Sequence, residues 1–495
     1  MRFRKPQAES YAIEPDYSVP LAGLFDITAP ATTTGETEAL CAAKLLAIHK
    51  NDEALAWRIA LIENAQYSID AQYYSWHADI SGQWLISKLI EAADRGVWVR
   101  LLLDDIHTLG ADRRIATLNR HKNIEVRIFN AFKHRWSSQF FRIFELLWNL
   151  KRLNHRMHNK LLIADNLTAI IGGRNIGDEY FSFNKTLIFR DLDLLVCGDA
   201  VERFSHSFDL FWNNPISKTA RRLIAFRPGR LNYRRMLKHL DQNILLSQQI
   251  IQHIESVKNG LLKNADLKSR LISTHVEIVF DLPAKNSSPE ESLAQELNRR
   301  NLKTTKQLTV ISAYFIPSQS LLASFKTLLD NGVRIQVLTN SLASIDVTAI
   351  FTGYERYRHQ LLNMGVELYE FRAEPEYHPE FSSCPAQVDF FSLHAKSIIY
   401  DSDSVYIGTL NLDPRSEFLN TEIGMFINNN ELTTIVHNTF IDDLNDGKYW
   451  QVKYNKEGKL IWQYRDEVRT RQPARSFWQR VRKTVIALLP IQQHL

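Results

Sequence analysis

No stretch of this chain approaches the roughly 18 consecutive apolar residues that a helix needs to cross a bilayer, so no transmembrane span is expected. The opening residues Met1-Arg2-Phe3-Arg4-Lys5-Pro6 are basic, but no apolar segment comes after them, and no signal peptide is expected. Cysteine is scarce. Cys41, Cys197 and Cys384 are far apart and odd in number, which argues against a disulfide framework or a metal cluster and for a reducing compartment. Charge of one sign is also lacking: 60 Lys and Arg face 55 acidic residues, a net +5. That excess is too small to mark a nucleic-acid binder, so no nucleic-acid partner is expected, but it suits contact with an anionic membrane surface. At 495 residues, 45% hydrophobic and 23% charged, the chain can bury two substantial cores.

The chain does have one pattern written twice. His158-Asn159-Lys160 followed by Asp165, and His394-Ala395-Lys396 followed by Asp401, both read H-x-K-x4-D, at an offset of 236 residues (158 to 394). Each is followed by a second small motif, Gly172-Gly173-Arg174-Asn175 and Gly408-Thr409-Leu410-Asn411. The same offset relates Gly96-Val97-Trp98-Val99-Arg100-Leu101 to Gly332-Val333-Arg334-Ile335-Gln336-Val337, both strand-like runs opened by a helix-ending glycine. Apolar residues ahead of them (Leu85, Ile86, Leu89, Ile90, Ala93; Leu321, Leu322, Phe325, Leu328, Leu329) have helical spacing. Further strands are read at 68–74 and 308–315, and at 124–129 and 366–371. The order predicts two duplicated α/β sandwich lobes, at about 50–215 and 300–445. An N-terminal arm (1–49), a basic, helix-prone connector (216–299, with Arg221, Arg222, Arg227, Arg230, Arg234 and Arg235) and a C-terminal extension (446–495) complete the chain.

In an extended segment, residues two apart project from the same face, so each motif can offer an imidazole and an ammonium to one pocket. Two facing copies supply two histidines, as a two-step displacement on phosphorus requires. One imidazole attacks and becomes a phosphohistidine; the other protonates the departing alkoxide and then deprotonates the incoming hydroxyl. Lys160, Lys396, Asn175 and Asn411 are the candidates for holding the phosphate oxygens. Such a site needs no metal, nucleotide or other cofactor. A lone His-x-Lys is ordinary surface chemistry; the shared offset and the paired Gly-x-x-Asn set this pattern apart. Asp165 and Asp401 belong to the motif, as catalytic helpers or as strand-end hydrogen-bonding residues.

The paired motifs resemble those that define the phospholipase D superfamily, over nearly the whole chain. That resemblance implies phospholipase D-like lobes with one active site at their interface, no cofactor, and an acidic residue from a later strand on each catalytic imidazole. The matching positions are Asp191 and Glu422, with Asp193 competing in the first half. It also implies His158 as nucleophile and His394 as acid. The family usually carries Ser where this chain has Gly173 and Thr409, so the resemblance implies a hydroxyl contact to phosphate that is lost in the first half and kept at Thr409. Longer stretches, residues 172–181, 411–416 and 419–422, resemble bacterial cardiolipin synthases, and residues 339–343 and the tail resemble their C-type branch. This closer resemblance implies phosphatidyl transfer from phosphatidylethanolamine to phosphatidylglycerol at the cytoplasmic face of the bacterial inner membrane, with room for a helper protein. Phospholipase D hydrolysis and a nuclease or other phosphodiesterase of the same superfamily are the alternatives.

Two segments look interfacial. Trp136 to Arg152 is aromatic and apolar with basic flanks, and Phe477, Trp478, Val481, Val485, Leu488 and Leu489 form one helical stripe beside Arg475, Arg480, Arg482 and Lys483. Either can instead pack on the protein itself. Arg174, Arg415, Asn340, Asp346 and Tyr354 are weaker headgroup candidates, and residues 376–391 a candidate lid.

Overall fold

A computed structural model describes residues 8–29, 40–108, 110–132, 150–264, 266–285, 292–378 and 388–487. The expected duplication organises it. In the first half the parallel strands Ser68–Tyr73, Trp98–Asp104 and Ile124–Phe129 lie side by side. The antiparallel hairpin Lys160–Ala164/Thr168–Gly172 and the strand Asp193–Cys197 extend them. The second half repeats this with Gln307–Ser312, Arg334–Asn340 and Glu367–Phe371, then Lys396–Tyr400/Ser404–Gly408 and Ile423–Asn428. The helices between parallel strands carry the expected punctuation. Ile80–Arg95 starts with the Asp79 carboxylate accepting from Gly82 N–H and ends at Gly96, whose φ of 108° suits glycine. Ser318 caps Gln319–Asp330 in the same way.

The two half-sheets are not separate. Cys41–Ile48, within the residues read as an arm, pairs antiparallel with Asp193–Cys197 and with Ile272–Phe280, within the residues read as a helical connector. Ile272–Phe280 in turn pairs with Ile423–Asn428. One 18-stranded sheet therefore runs through both halves among the described residues. The C-terminal extension adds Tyr449–Tyr454, Leu460–Tyr464 and Glu467–Arg469 beyond Glu367–Phe371. The connector does also hold helices, Arg230–Leu246 and Gln248–Lys263.

Burial on both faces explains the near-continuous apolar runs after each motif. Leu162 and Ala164 face a core belonging to the first half, whereas Leu161 and Ile163 face a central core. Ile398 and Tyr400 face the second half's core, and Ile399 meets the same central core. Helix Ala200–Trp212, through Phe204, Phe208 and Phe211, and helix Asn430–Asn445, through Leu432, Val436 and Phe440, fill that centre. Two motif strands buried in one shared core bring their leading histidines to the same edge of the molecule.

Candidate active site

Each motif histidine sits just ahead of its strand, on backbone tied to the other half. His158 N–H donates to Thr421 O at 3.0 Å and His394 N–H to Arg190 O at 2.7 Å. Around the second contact, Leu187–Arg190 and Phe390–Leu393 form a small parallel sheet between the halves. Around the first, Met157 bridges Thr421. The residue after each acceptor is an acid, so the acids are crossed: His158 Nδ1 lies 2.8 Å from Glu422 Oε2, and His394 Nδ1 lies 2.6 Å from Asp191 Oδ2. An Nδ1–H committed to a carboxylate leaves the Nε2 lone pair free to act on a substrate. Asp193, the competitor, is instead bound to Arg58 at 2.9 Å and Arg174 at 3.2 Å.

The lysines close the set. Lys160 Nζ donates to His158 O at 2.7 Å, and Lys396 Nζ to His394 O. Both are buried, and desolvation lowers them to about 7 and about 8. Each lysine is felt by both imidazoles, so the halves share one electrostatic site. Burial, and then the lysines, hold both histidines below their ordinary value, His394 at about 3, which favours the neutral rings. The acids differ. Burial raises Glu422 to about 7. Burial also pushes Asp191 up, but the hydrogen bond from the His394 ring and the charges of Lys396 and Arg174 outweigh it and hold this carboxylate low.

The Gly-x-x-Asn motifs take unequal parts. Thr409 was expected on phosphate, but its hydroxyl donates to Glu422 Oε2 at 2.5 Å and accepts from Ile423 N–H at 3.0 Å. It braces the acid of the His158 dyad rather than reaching for a ligand. At the matching Gly173 a Cβ would lie 2.2 Å from Asp191 Oδ1, so no side chain fits there. Asn175 donates to the Tyr180 hydroxyl at 2.9 Å, and that ring stands edge-on to His394 at 5.1 Å. Asn411 is buried with its Oδ1 unpartnered by protein.

Asp165 and Asp401 need correcting as catalytic candidates. Asp165 accepts from the backbone N–H groups of Gln66, Tyr67 and Ser68 at 2.7–2.9 Å. Asp401 does the same for Thr305, Lys306 and Gln307 at 2.6–2.9 Å. Both sit at the far end of the motif strand, about 16 Å of extended chain from the lysine, where they anchor the start of the neighbouring strand. Among the weaker candidates, Arg174 holds Asp191 O at 2.9 Å together with Ile48 O and His49 O. Asn340 holds Leu393 on both its N–H and its carbonyl, fixing the residue before His394. Tyr354 donates to Glu370 at 3.1 Å in the core. Asp346 accepts from Tyr314 at 2.7 Å. Arg415 donates to Asn154 at 2.8 Å and contributes to lowering His158, so it borders the site.

Some residues went unread in the sequence. Asp281 accepts from Glu422 N–H at 2.9 Å and pairs with Lys285 at 2.9 Å; Lys285 also donates to Ser416 O and Asn420 O. These connector residues fix the segment carrying Glu422, and an Asp-x3-Lys spacing alone gives no hint of it. Tyr74 stands edge-on to His158 at 5.0 Å, and Phe189 packs 4.7 Å from His394. Outside the dyads, His77, Asp79 and Glu179 have the spacing of metal ligands. Most of the aromatic segment 136–152, the loop 379–387 and the last residues of the tail lie outside the described residues.

The geometry accords with the proteins to which the chain is similar. The family model described as "Cardiolipin synthase, PLD-like domain" matches residues 59–212 and 299–444. Cardiolipin synthase C of Escherichia coli (strain K12) is 34% identical over 462 residues, 90% of this chain and 95% of its own length. A cardiolipin synthase of Oceanobacillus iheyensis is 26% identical, over 77% of this chain and 65% of its own length. Among solved structures, phosphatidylserine synthase of Haemophilus influenzae Rd KW20 shares the fold at a TM-score of 0.55 and 14% identity, covering 85% of this chain and 91% of that one.

Proposed function

The chain belongs to the cardiolipin synthase family of phospholipase D-like proteins, a family of phospholipid phosphatidyltransferases, and from that premise we propose that it transfers a phosphatidyl group from phosphatidylethanolamine to phosphatidylglycerol through a phosphohistidine on His158. In the first step His158 Nε2 attacks phosphorus, the P–O bond to ethanolamine breaks, and His394 gives its proton to the departing oxygen. In the second, His394 takes the proton of a glycerol hydroxyl of phosphatidylglycerol, that oxygen attacks phosphorus, and the P–N bond breaks. One phosphodiester replaces another, so no energy-rich co-substrate enters. Lys160 and Lys396, with Asn175, Asn411 and Arg415 nearby, neutralise the non-bridging oxygens. An arriving phosphate diester is an anion, and its charge favours the imidazolium that His394 must carry.

The observation that carries this reading is the crossed pair of unequal dyads. The acid role requires a stabilised imidazolium, and Asp191, held ionised, supplies that to His394. Glu422 is less firmly ionised, which suits a ring whose task is to attack as the neutral species. The test uses purified protein and vesicles of phosphatidylglycerol with labelled phosphatidylethanolamine, without added metal or nucleotide. Cardiolipin and free ethanolamine are the expected products. Phosphatidic acid in their place would make water the acceptor and the protein a phospholipase D.

The membrane surface is the proposed workplace, at the cytoplasmic face of the inner membrane and with a helper protein as a further candidate partner. No described helix is long and apolar enough to cross a membrane. Helix Phe477–Ala487 docks on the second half through Gln479, whose side chain donates to Leu342 O, and Lys483, which pairs with Glu355. It leaves Phe477 and Trp478 68% and 74% exposed beside the exposed Arg480 and Arg482. Aromatics and arginines presented outward suit a headgroup layer. Replacing both aromatics (F477S, W478S) is expected to weaken co-sedimentation with anionic vesicles at least tenfold; unchanged binding would place the contact elsewhere.

A further inference from the structure

The first half contains a cavity of about 670 Å³ that the chemistry above does not use. Its size falls within the roughly 300–1,000 Å³ of small-molecule sites. Leu101, Leu103 and Val126 form its floor on the parallel strands, and Phe226 and Met236 of the connector face them. Arg113, Arg114 and Arg235 line it with their residues exposed to solvent, so they mark its mouth. The cavity also reaches His107, whose ring stands 4.9 Å from that of Tyr74. Tyr74 is itself 5.0 Å from His158. Two rings, His107 on the cavity wall and Tyr74 behind it, therefore separate the cavity from the proposed nucleophile. Beside the mouth, on the same connector helix and the neighbouring loop, Arg120, Lys122, Arg230 and Arg234 form a basic patch with Leu231 exposed among them.

Each feature constrains the occupant. The lining is mainly apolar, with His77, Gln83, Asn232 and His239 also bordering it, so it suits a hydrocarbon chain attached to a polar headgroup. The arginine mouth complements the phosphates of a lipid surface, each basic residue near such a surface adding to the attraction. Proximity to His158 ties the occupant to the reacting lipid. We propose that this cavity receives one acyl chain of the substrate glycerophospholipid, withdrawing it from the bilayer while the headgroup phosphate lies between the histidines. The proposal rests on the lipid reading of the active site and adds to it a chain-binding subsite made by the connector and the first half together.

Photocrosslinking tests it directly. Vesicles of phosphatidylglycerol and phosphatidylethanolamine, doped with phosphatidylglycerol carrying a diazirine at the end of one acyl chain, are irradiated with the full-length protein and adducts are mapped by mass spectrometry. Adducts on the 98–104 strand and the 226–240 segment are expected; adducts confined to other surfaces would overturn the proposal. A111W and M236W both narrow the cavity, and neither residue belongs to the dyads. Both variants are expected to lose at least tenfold in kcat/KM on long-chain vesicles, while turnover of water-soluble dibutyryl phospholipids stays within twofold of the parent. Undiminished long-chain turnover in both would also overturn it. Cavity adducts in a protein that turns over no phospholipid would uphold the subsite and overturn the catalytic reading instead.

Discussion

Above pH 7, where Glu422 is ionised, replacing it by Gln removes a charge and little else. In the parent, one oxygen, Oε2, accepts from both the His158 ring and the Thr409 hydroxyl, and the carboxylate is further lowered by the Ser416 hydroxyl. A glutamine carbonyl placed at Oε2 keeps both bonds, and its amide group occupies the site of Oε1. The loss is therefore the charge assistance of a buried bond. A hydrogen bond to a charged group contributes about 1.5–3 kcal/mol, or roughly 10- to 150-fold at 1.36 kcal/mol per decade. D191N removes the charge on His394 in the same way, but it also gives up the bond that Asp191 Oδ1 accepts from Leu192 N–H at 2.8 Å. The two variants separate by substrate, because a phosphatidyl ester of p-nitrophenol leaves without needing a proton. E422Q is expected to slow both phosphatidylethanolamine turnover and the pre-steady-state burst of p-nitrophenol, since attack by His158 is common to both. D191N is expected to slow phosphatidylethanolamine turnover by a similar factor yet leave the burst within about threefold, because the step it impairs is bypassed. Rapid-quench kinetics reads both. The inverse pattern, with D191N suppressing the burst and E422Q sparing it, would refute either the crossed pairing or the assignment of nucleophile.

The same geometry sets three further expectations. G173S, which restores the residue usual in the family, is expected to lower kcat at least tenfold, because its Cβ meets Asp191 Oδ1 at 2.2 Å and must displace that carboxylate from His394; parental activity in G173S would show that Asp191 is not held where it is needed. D165A strips the acceptor from three backbone amides and is expected to lower unfolding free energy by about 2–4 kcal/mol, while kcat of the folded fraction stays within threefold; a hundredfold loss of kcat at unchanged stability would return Asp165 to the chemistry. Inhibition by inorganic phosphate is expected to weaken as pH rises through 7 to 8, since Lys160 and Lys396 are lowered to about 7 and about 8 and must be protonated to hold an anion. Below pH 7 both are already charged and their contribution levels off. K160M should lose the lower part of that pH dependence, and an unchanged profile would mean that Lys160 does not bind the anion.

Much of this was legible in the residues because it is periodic or repeated. The shared offset revealed the duplication, and glycine-ended apolar helices fixed the order of elements in each half. The motif strands were readable as buried because their apolar runs do not alternate. Other features were not. Cys41–Ile48 and Ile272–Phe280 join the half-sheets, but the first lies next to unpatterned residues and the second inside a basic, helix-rich stretch, so local composition concealed them. The split between Asp191 and Asp193, two residues apart on the same face of an extended segment, could not be settled by spacing. It turns on where Arg58 and Arg174 lie, which is tertiary information. Thr409 looked like a phosphate ligand because it stands where the family usually carries Ser. Only the position of Glu422 shows what that hydroxyl holds.

Duplication poses a chemical problem that the fold answers at a few side chains. Two copies of one unit, related by the paired strands at the centre of the sheet, bring together two equivalent histidines, but displacement on phosphorus needs one neutral ring to attack and one charged ring to donate. Crossing the acids does not break the equivalence, since each half still gives one acid and receives one. The difference enters in the residues behind the acids. Asp191 is short, set against Gly173 with no side chain between them, and faces Lys396 and Arg174, which keep it ionised. Glu422 is longer, capped by the Thr409 hydroxyl, and buried enough to titrate near neutrality. The Gly/Thr exchange and the Asp/Glu exchange are therefore one coupled change, because the smaller residue at one position makes room for the carboxylate at the other. A double variant, G173T with D191E, should then recover more activity than the two single changes predict together, whereas simple additivity would show that the exchanges are independent.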